Sequence, residues 1–235
     1  MKTLDIVYLH HSGFAVMTDK HLLIFDYYQD PAGKMPALLG LGKTCYVFSS
    51  HAHGDHFVPA ISEWQDKVAG YILSDDIKSA GGLVAHLEKI HYAGLYQQLE
   101  LDGVKVTTYG STDQGLSFAV EADGWRIFHA GDLNWWHWKG DTPENLRLAE
   151  EGFRSELARL SGEVFDVAFF PVDSRLEECL TMGVNEFVQT VQVRQLVTMH
   201  HCGDVWTAPP DFPGDGREMA AWSPPAPGAG LQVRK

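Results

Sequence analysis

Four residues of types that bind metal lie within six positions of this 235-residue chain, in the run His51-Ala52-His53-Gly54-Asp55-His56. Imidazole nitrogens and carboxylate oxygens suit zinc, iron or manganese. The apolar run at residues 45–50 predicts a buried strand directly before them. At its end His51 and His53 can share a face, because side chains two apart point the same way. Gly54 lets the backbone bend, so that the last two ligand types can face a second position. The cluster therefore predicts a metal site, with a metal-free polar turn as the alternative.

The composition narrows the class of partner. With 18 basic and 31 acidic residues the chain has a formal net charge of −13. Such a charge repels phosphate backbones and anionic membranes, which argues against long nucleic acid as the substrate. The three cysteines show no paired spacing, as expected for reduced thiols of a cytosolic protein. No apolar run approaches the roughly 20 residues that span a bilayer, and the first residues do not resemble a signal peptide. We therefore predict a cytoplasmic protein that acts on a small molecule.

Predicted strands and helices give the cluster a framework. Strand patterns cover residues 5–16, 21–28, 45–50, 68–73, 99–109, 116–122, 125–129, 166–172 and 195–199, and helical patterns cover 58–67, 75–80, 82–96, 143–160 and 185–193. Strands occur both in meanders and in alternation with helices, which favours two sheets with helices outside them. Residues 208–230 are rich in Pro and Gly and predict an extended surface segment without regular structure. We expect a single domain over residues 1–235, with 208–235 as a C-terminal extension.

The H-x-H-x-D-H run resembles the signature of the metallo-β-lactamase superfamily. Four further segments resemble its other strand motifs: 8–14 (YLHHSGF), 24–26 (IFD), 128–132 (FHAGD) and 197–200 (VTMH). The order and spacing are similar to the branch that contains ascorbate-phosphate lactonases and phospholipid-cleaving phosphodiesterases, and residues 111–138 resemble an uncharacterised bacterial subgroup. The resemblance implies an α/β fold, a four-layer αββα sandwich with the site at one edge of the two sheets.

The resemblance also implies two metal positions joined by one carboxylate. The implied ligands are His51 and His53 for the first position, Asp55, His56 and His200 for the second, and Asp132 as the bridge. We expect one or two divalent ions per chain, with zinc favoured over manganese or iron. Water bound to such metals loses a proton near neutral pH and becomes a nucleophile. The implied activity is hydrolysis of a small ester, lactone or phosphodiester, with Asp55 and Asp132 as catalytic residues.

One ligand of the family pattern is missing. The family usually supplies a third histidine to the first position from the loop before the bridging aspartate's hairpin. Here that loop, residues 109–115, contains no histidine. Asp113 is the natural substitute, although Asp-Gln-Gly is also ordinary turn chemistry. Both readings of Asp113 stay open at this point.

The sequence predicts less specific roles for other residues near the motifs. His10 and His11 are taken as structural, and His129 is expected to orient the site rather than to bind metal. The aromatic run at residues 135–138 either anchors a loop or forms a substrate wall. Arg175 could meet an anionic substrate.

Three alternative functions remain. An RNA-processing nuclease of the same fold is disfavoured by the acidic charge. A redox member with di-iron and flavin usually has an acidic residue where His53 stands and carries a flavin domain. A non-catalytic protein could use the metal for stability or sensing, an alternative that the missing histidine leaves open.

Overall fold

The computed structural model describes residues 1–83, 87–213 and 218–235. Within these ranges the strands are β1 (Thr3–His10), β2 (Gly13–Met17), β3 (His21–Phe25), β4 (Thr44–Ser49), β5 (Gly70–Ser74), β6 (Ile90–Ala93), β7 (Gln98–Leu101), β8 (Val104–Tyr109), β9 (Ser117–Ala122), β10 (Trp125–His129), β11 (Val164–Pro171), β12 (Gln192–Met199), β13 (Ala220–Trp222) and β14 (Gly230–Arg234). The helices are α1 (Met35–Leu38), α2 (Asp75–Ser79), α3 (Pro143–Arg159) and α4 (Met182–Thr190), and short 3₁₀ helices cover Pro59–Trp64, Leu87–Lys89 and Ser174–Cys179.

The strands form two mixed sheets of seven, in the orders β14-β1-β2-β3-β4-β5-β6 and β13-β12-β11-β10-β9-β8-β7. In the first sheet β3 to β6 are parallel, and in the second β10 to β13 are parallel. The remaining neighbours pair antiparallel. Parallel neighbours end at the same edge of a sheet, so the loops that follow β3 and β4, and those that follow β10 to β12, emerge together.

Alternating side chains divide the apolar residues into layers. In β11, Phe169 points to the first sheet and packs 4.5 Å from Phe14, centroid to centroid, whereas Phe170 points away and packs 4.5 Å from Phe187 of α4. On the far side of the first sheet, Val47 of β4 shares a core cluster with Met35 of α1. Because side chains two apart share a face, each sheet buries one face against the other sheet and one against helices. The predicted αββα sandwich is confirmed.

The predicted start of the long helix is also confirmed. Pro143 is the first residue of α3, and the Thr142 hydroxyl accepts a hydrogen bond from the Asn145 backbone N–H at 3.2 Å. This is the usual role of an N-cap threonine, which satisfies an N–H of the first turn. Among the residues that the structure describes, no helix has the length and apolar character needed to cross a membrane.

The helix predicted at 82–96 is wrong, although residues 84–86 lie outside the described residues. Residues 90–93 form β6, which pairs parallel with β5. Ile90 and Tyr92 pack against the cluster outside the first sheet, whereas Ala93 belongs to the core between the sheets. This short segment has apolar side chains on both faces, so its hydrophobic spacing alone does not separate a strand from a helix.

Two predicted strands each turn out to be a hairpin. The run at 99–109 is divided by Asp102-Gly103, with Gly103 at φ +76°, which is the Asp-Gly turn signal. The run at 5–16 is divided at His11-Ser12 into β1 and β2. The prediction that 208–230 has no regular structure is wrong as well. Residues 220–222 form β13 beside β12, and after residue 230 the chain pairs with β1 as β14.

Candidate metal centre

The predicted metal-binding residues meet at one edge of the two sheets. Residues 51–56 follow β4, Asp132 follows β10, His200 follows β12, and Asp113 lies in the loop between β8 and β9. The structure brings all seven predicted residues into two adjoining clusters. These residues are far apart in sequence, and the strand ends bring them together.

The first group, here called the inner cluster, comprises His11, Asp55, His56 and His200. One ligand atom from each lies within 4.8 Å of all the others. The three histidines are buried, while the Asp55 side chain is 49% exposed at the rim. His11 Nε2 lies 3.4 Å from Asp55 Oδ2, and the His11 ring centroid lies 4.0 Å from that of His200. His11 therefore adds a fourth residue to the three expected at the second metal position.

The second group, here called the outer cluster, comprises His51, His53, Asp113 and Asp132, again with one ligand atom of each within 4.8 Å of the others. His51 Nε2 lies 2.9 Å from His53 Nδ1, which lies 3.5 Å from Asp113 Oδ2. His51 is buried, but the side chains of His53 and Asp113 are 43% and 45% exposed. The position of Asp113 supports its reading as a substitute ligand, which stays a prediction.

Asp132 lies between the two clusters with one oxygen towards each. Its Oδ1 lies 3.2 Å from His56 Nε2 and 3.5 Å from His200 Nε2, and its Oδ2 lies 3.6 Å from His51 Nε2. Burial opposes ionisation of this carboxyl. The nearby imidazoles of His200, His56 and His51 outweigh that effect and hold the pKa of Asp132 well below its usual value. Asp132 is therefore a carboxylate at neutral pH.

Several buried atoms at the centre of this arrangement have no hydrogen-bond partner among the described residues. They are His11 Nε2, His56 Nε2 and Asp132 Oδ1. Buried polar atoms are normally paired, and an unpaired one needs an explanation. Burial and the charges of His200 and His56 lower the pKa of His11 to about 3, so this imidazole is neutral. Imidazoles that converge with carboxylates form a donor set that fits a divalent cation.

Hydrogen bonds on the opposite side of each ring set its orientation. His56 Nδ1 donates to Asp26 Oδ2 at 2.8 Å, and His200 Nδ1 donates to Asp173 Oδ2 at 3.0 Å. His51 Nδ1 lies 3.0 Å from the hydroxyl of Ser50, which donates to Asp26. Each Nδ1 contact leaves Nε2 facing the centre, which is how proteins orient histidines that bind metal.

His129 contacts the backbone on both sides of the site rather than either cluster. Its Nε2 donates to Ser12 O at 2.9 Å, and its Nδ1 accepts from the Gly131 N–H at 3.2 Å. It thereby ties the turn after β1 to the loop that places Asp132. This geometry agrees with an orienting role.

Sequence reasoning missed three residues of this centre. The predicted strand over residues 5–16 contained His11, so the sequence did not indicate that this residue lies in a turn at the end of a strand. Asp26 and Asp173 each follow a buried strand, β3 and β11, and that position was the available signal for both. All three side chains are buried against site histidines.

A pocket of about 350 Å³ opens over the two clusters. Trp136 and Trp138 stand in its wall with ring planes 5° apart and centroids 5.7 Å apart. The Arg175 guanidinium lies 5.5 Å from the Trp138 centroid and is held by Asp173. Two residues of the aromatic run therefore line the pocket beside one cationic side chain, whereas Trp135 packs in the core. A larger cavity of about 700 Å³, between Lys2 and Trp125, contains neither cluster.

Comparison with known proteins agrees with this architecture. No family model matches the chain. A UPF0173 metal-dependent hydrolase of Thermococcus onnurineus is 27% identical over 210 residues, covering 83% of each chain. Igni18, a metallo hydrolase of Ignicoccus hospitalis, aligns over 99% of each chain with a TM-score of 0.66 at 16% identity. The metallo-β-lactamase fold protein YhfI of Bacillus subtilis aligns over 99% of this chain and 100% of its own, with a TM-score of 0.62 at 9% identity. The chain therefore has the metallo-β-lactamase fold that its motifs imply, and it is similar to the UPF0173 metal-dependent hydrolases.

Proposed function

We propose that this chain is a metal-dependent hydrolase that uses metal-activated water to cleave a small ester, lactone or phosphodiester. The observation that supports this most strongly is the set of unpartnered buried atoms at His11, His56 and Asp132, which lies under an open pocket. The hydrolase names of the similar proteins agree with it.

The two clusters supply a separate donor set for each of two ions. In this proposal the outer ion is held by His51, His53 and Asp113, the inner ion by Asp55, His56 and His200, and both by Asp132. Bound divalent ions would activate water near neutral pH and polarise the oxygen of the scissile group. Zinc fits these donors, and manganese or iron fits the carboxylate-rich outer set as well.

The two proposed catalytic aspartates have different environments. Asp132 is buried and kept ionised, so it holds negative charge between the two clusters. Asp55 is half exposed at the pocket, where its carboxylate is open to receive a proton from attacking water. We therefore assign Asp132 to holding the centre and Asp55 to proton transfer at the pocket.

The size and lining of the pocket favour a small substrate. Its volume is near the lower end of the range for small-molecule sites, about 300–1,000 Å³. Two stacked tryptophans offer an apolar wall, and Arg175 offers one positive charge for a carboxylate or phosphate of the substrate. The net charge of −13 disfavours a long nucleic acid.

The test is an activity panel on protein loaded with zinc, manganese or iron(II). We expect cleavage of at least one of p-nitrophenyl acetate, a set of lactones, and bis-p-nitrophenyl phosphate, with loss of activity on chelation. Asp132→Asn should abolish that activity. Asp19→Asn, which changes an exposed carboxylate in the turn after β2, should not. Fully loaded protein that cleaves no small substrate would contradict the proposal, and cleavage of single-stranded RNA alone would favour the nuclease.

A further inference from the structure

We propose that His11 is a fifth protein ligand of the inner metal position. This inference rests on the proposed function, because it needs a metal to be bound there. The inner position would then have three imidazoles and two carboxylates, from His11, His56, His200, Asp55 and Asp132. The outer position would keep two imidazoles and two carboxylates.

The position of the His11 ring supports this assignment. The residue is 6% exposed, and its Nε2 is buried without a hydrogen-bond partner among the described residues. That atom lies 3.4 Å from Asp55 Oδ2. The ring centroid is 4.0 Å from that of His200 and 5.5 Å from that of His56. One ligand atom of His11 lies within 4.8 Å of a ligand atom of each of the other three residues of the inner cluster.

The backbone of His11 is a second, independent observation. Its φ is +54°, in the left-handed region that favours glycine, and His200 has φ +59°. The His200 N–H donates to His11 O at 3.2 Å, so the two left-handed residues are joined. Strained backbone of this kind persists where the surroundings hold it, often at functional sites. A glycine would fit the turn at position 11 without strain, but it would remove the ring from the cluster.

The neighbouring residue His10 has a structural role and does not face the inner cluster. His10 is only half-buried, and its Nδ1 pairs with the Tyr28 hydroxyl at 2.5 Å. Its position next to His11 makes His10→Ala a matched control.

A fifth ligand at the inner position would determine which of the two metals can bind the substrate. A position filled by protein ligands has little room for substrate, whereas catalytic metals keep an open position. The exposed outer cluster, which faces the pocket through His53 and Asp113, would then be the one that meets the substrate.

The test is His11→Gly in the full chain, with zinc affinity measured by competition with a chelator of known affinity. Glycine suits the left-handed turn, so the metal-free variant should melt close to the wild type. We expect the tightly held ion to bind about 100-fold or more weakly, beyond the about 10–100-fold typical of orienting partners. Added imidazole should restore that affinity, and His10→Ala should leave it unchanged. His11→Asn, which also tolerates a left-handed backbone, is a second variant.

A cobalt-loaded sample separates a ligand from a positioning residue. In its NMR spectrum each bound imidazole contributes one exchangeable, paramagnetically shifted N–H signal. We expect His11→Gly to lose one such signal. Wild-type affinity in His11→Gly, or weaker binding with an unchanged number of signals and no rescue by imidazole, would overturn the inference. A wild type that binds no metal would instead overturn the proposed function with it.

Discussion

Asp132 faces both the inner and the outer cluster, and the two clusters differ in how firmly the protein holds their side chains. In the inner cluster, buried carboxylates orient two rings, with Asp26 on His56 and Asp173 on His200, and Asp55 is the exposed member. In the outer cluster, His53 and Asp113 are each more than 40% exposed. Buried and oriented ligands lose little freedom on binding, whereas exposed ones must be ordered by the ion. The comparison predicts one tightly bound and one labile metal.

The outer cluster also depends on a loop whose path needs a glycine. Gly115 has φ +70°, and a Cβ there would lie 1.9 Å from Ser50 O. The Leu116 N–H donates to that same oxygen at 2.9 Å, which holds the loop against the end of β4. This contact and the Thr112 hydroxyl, which donates to Asn134 O at 2.5 Å, hold the loop that carries Asp113 near His53.

Removing the shared residue should have the largest effect. Asp132→Ala deletes the carboxylate that faces both clusters, so we expect both metals to be lost from the purified protein by mass spectrometry. His56→Ala should lower the metal content as well, chiefly through the inner cluster. Asp19→Asn, purified in the same way, is the control and should keep the wild-type metal content. Unchanged metal stoichiometry in both site variants would show that the clusters do not bind metal.

Loss of an orienting carboxylate should have the next largest effect. Asp26→Asn weakens the support of His56 directly and of His51 through Ser50. Changes of this kind cost about 10–100-fold in metal affinity, and we expect that loss at the inner position. Asp166→Asn, at the opposite end of β11 from the site, is the matched control. Equal metal affinities in the two variants would contradict an orienting role for Asp26.

Asp113→Ala should have the smallest effect and the most selective one. Since the proposed function makes this carboxylate a ligand, we expect the labile metal to bind more weakly, by about tenfold or more, while the tight metal remains. If the residue only forms the turn, the chelation curve does not change. Metal counted at each step of a chelator titration distinguishes the two readings.

Local spacing was enough to predict the core of the site but not its full extent. Four ligand types within six residues after an apolar strand pointed to residues 51–56, and motif resemblance added Asp132 and His200. His11 was missed because one strand was predicted over 5–16, and a turn that depends on a left-handed histidine has no simple sequence signal. The edge strands β13 and β14 were missed because an edge strand can form through backbone pairing to one neighbour, which a side-chain pattern does not report. The single-domain organisation stays a prediction.

The difference in metal affinity between the inner and outer clusters is tested most directly by a chelator titration. The wild-type protein is loaded with two equivalents of zinc, and protein-bound metal is counted at each step. The account predicts two separate steps: one ion leaves under mild chelation, and the other stays until much stronger chelation. Repeating the titration with Asp113→Ala should move only the first step. Two ions that leave together in a single step would contradict the difference between the inner and outer clusters.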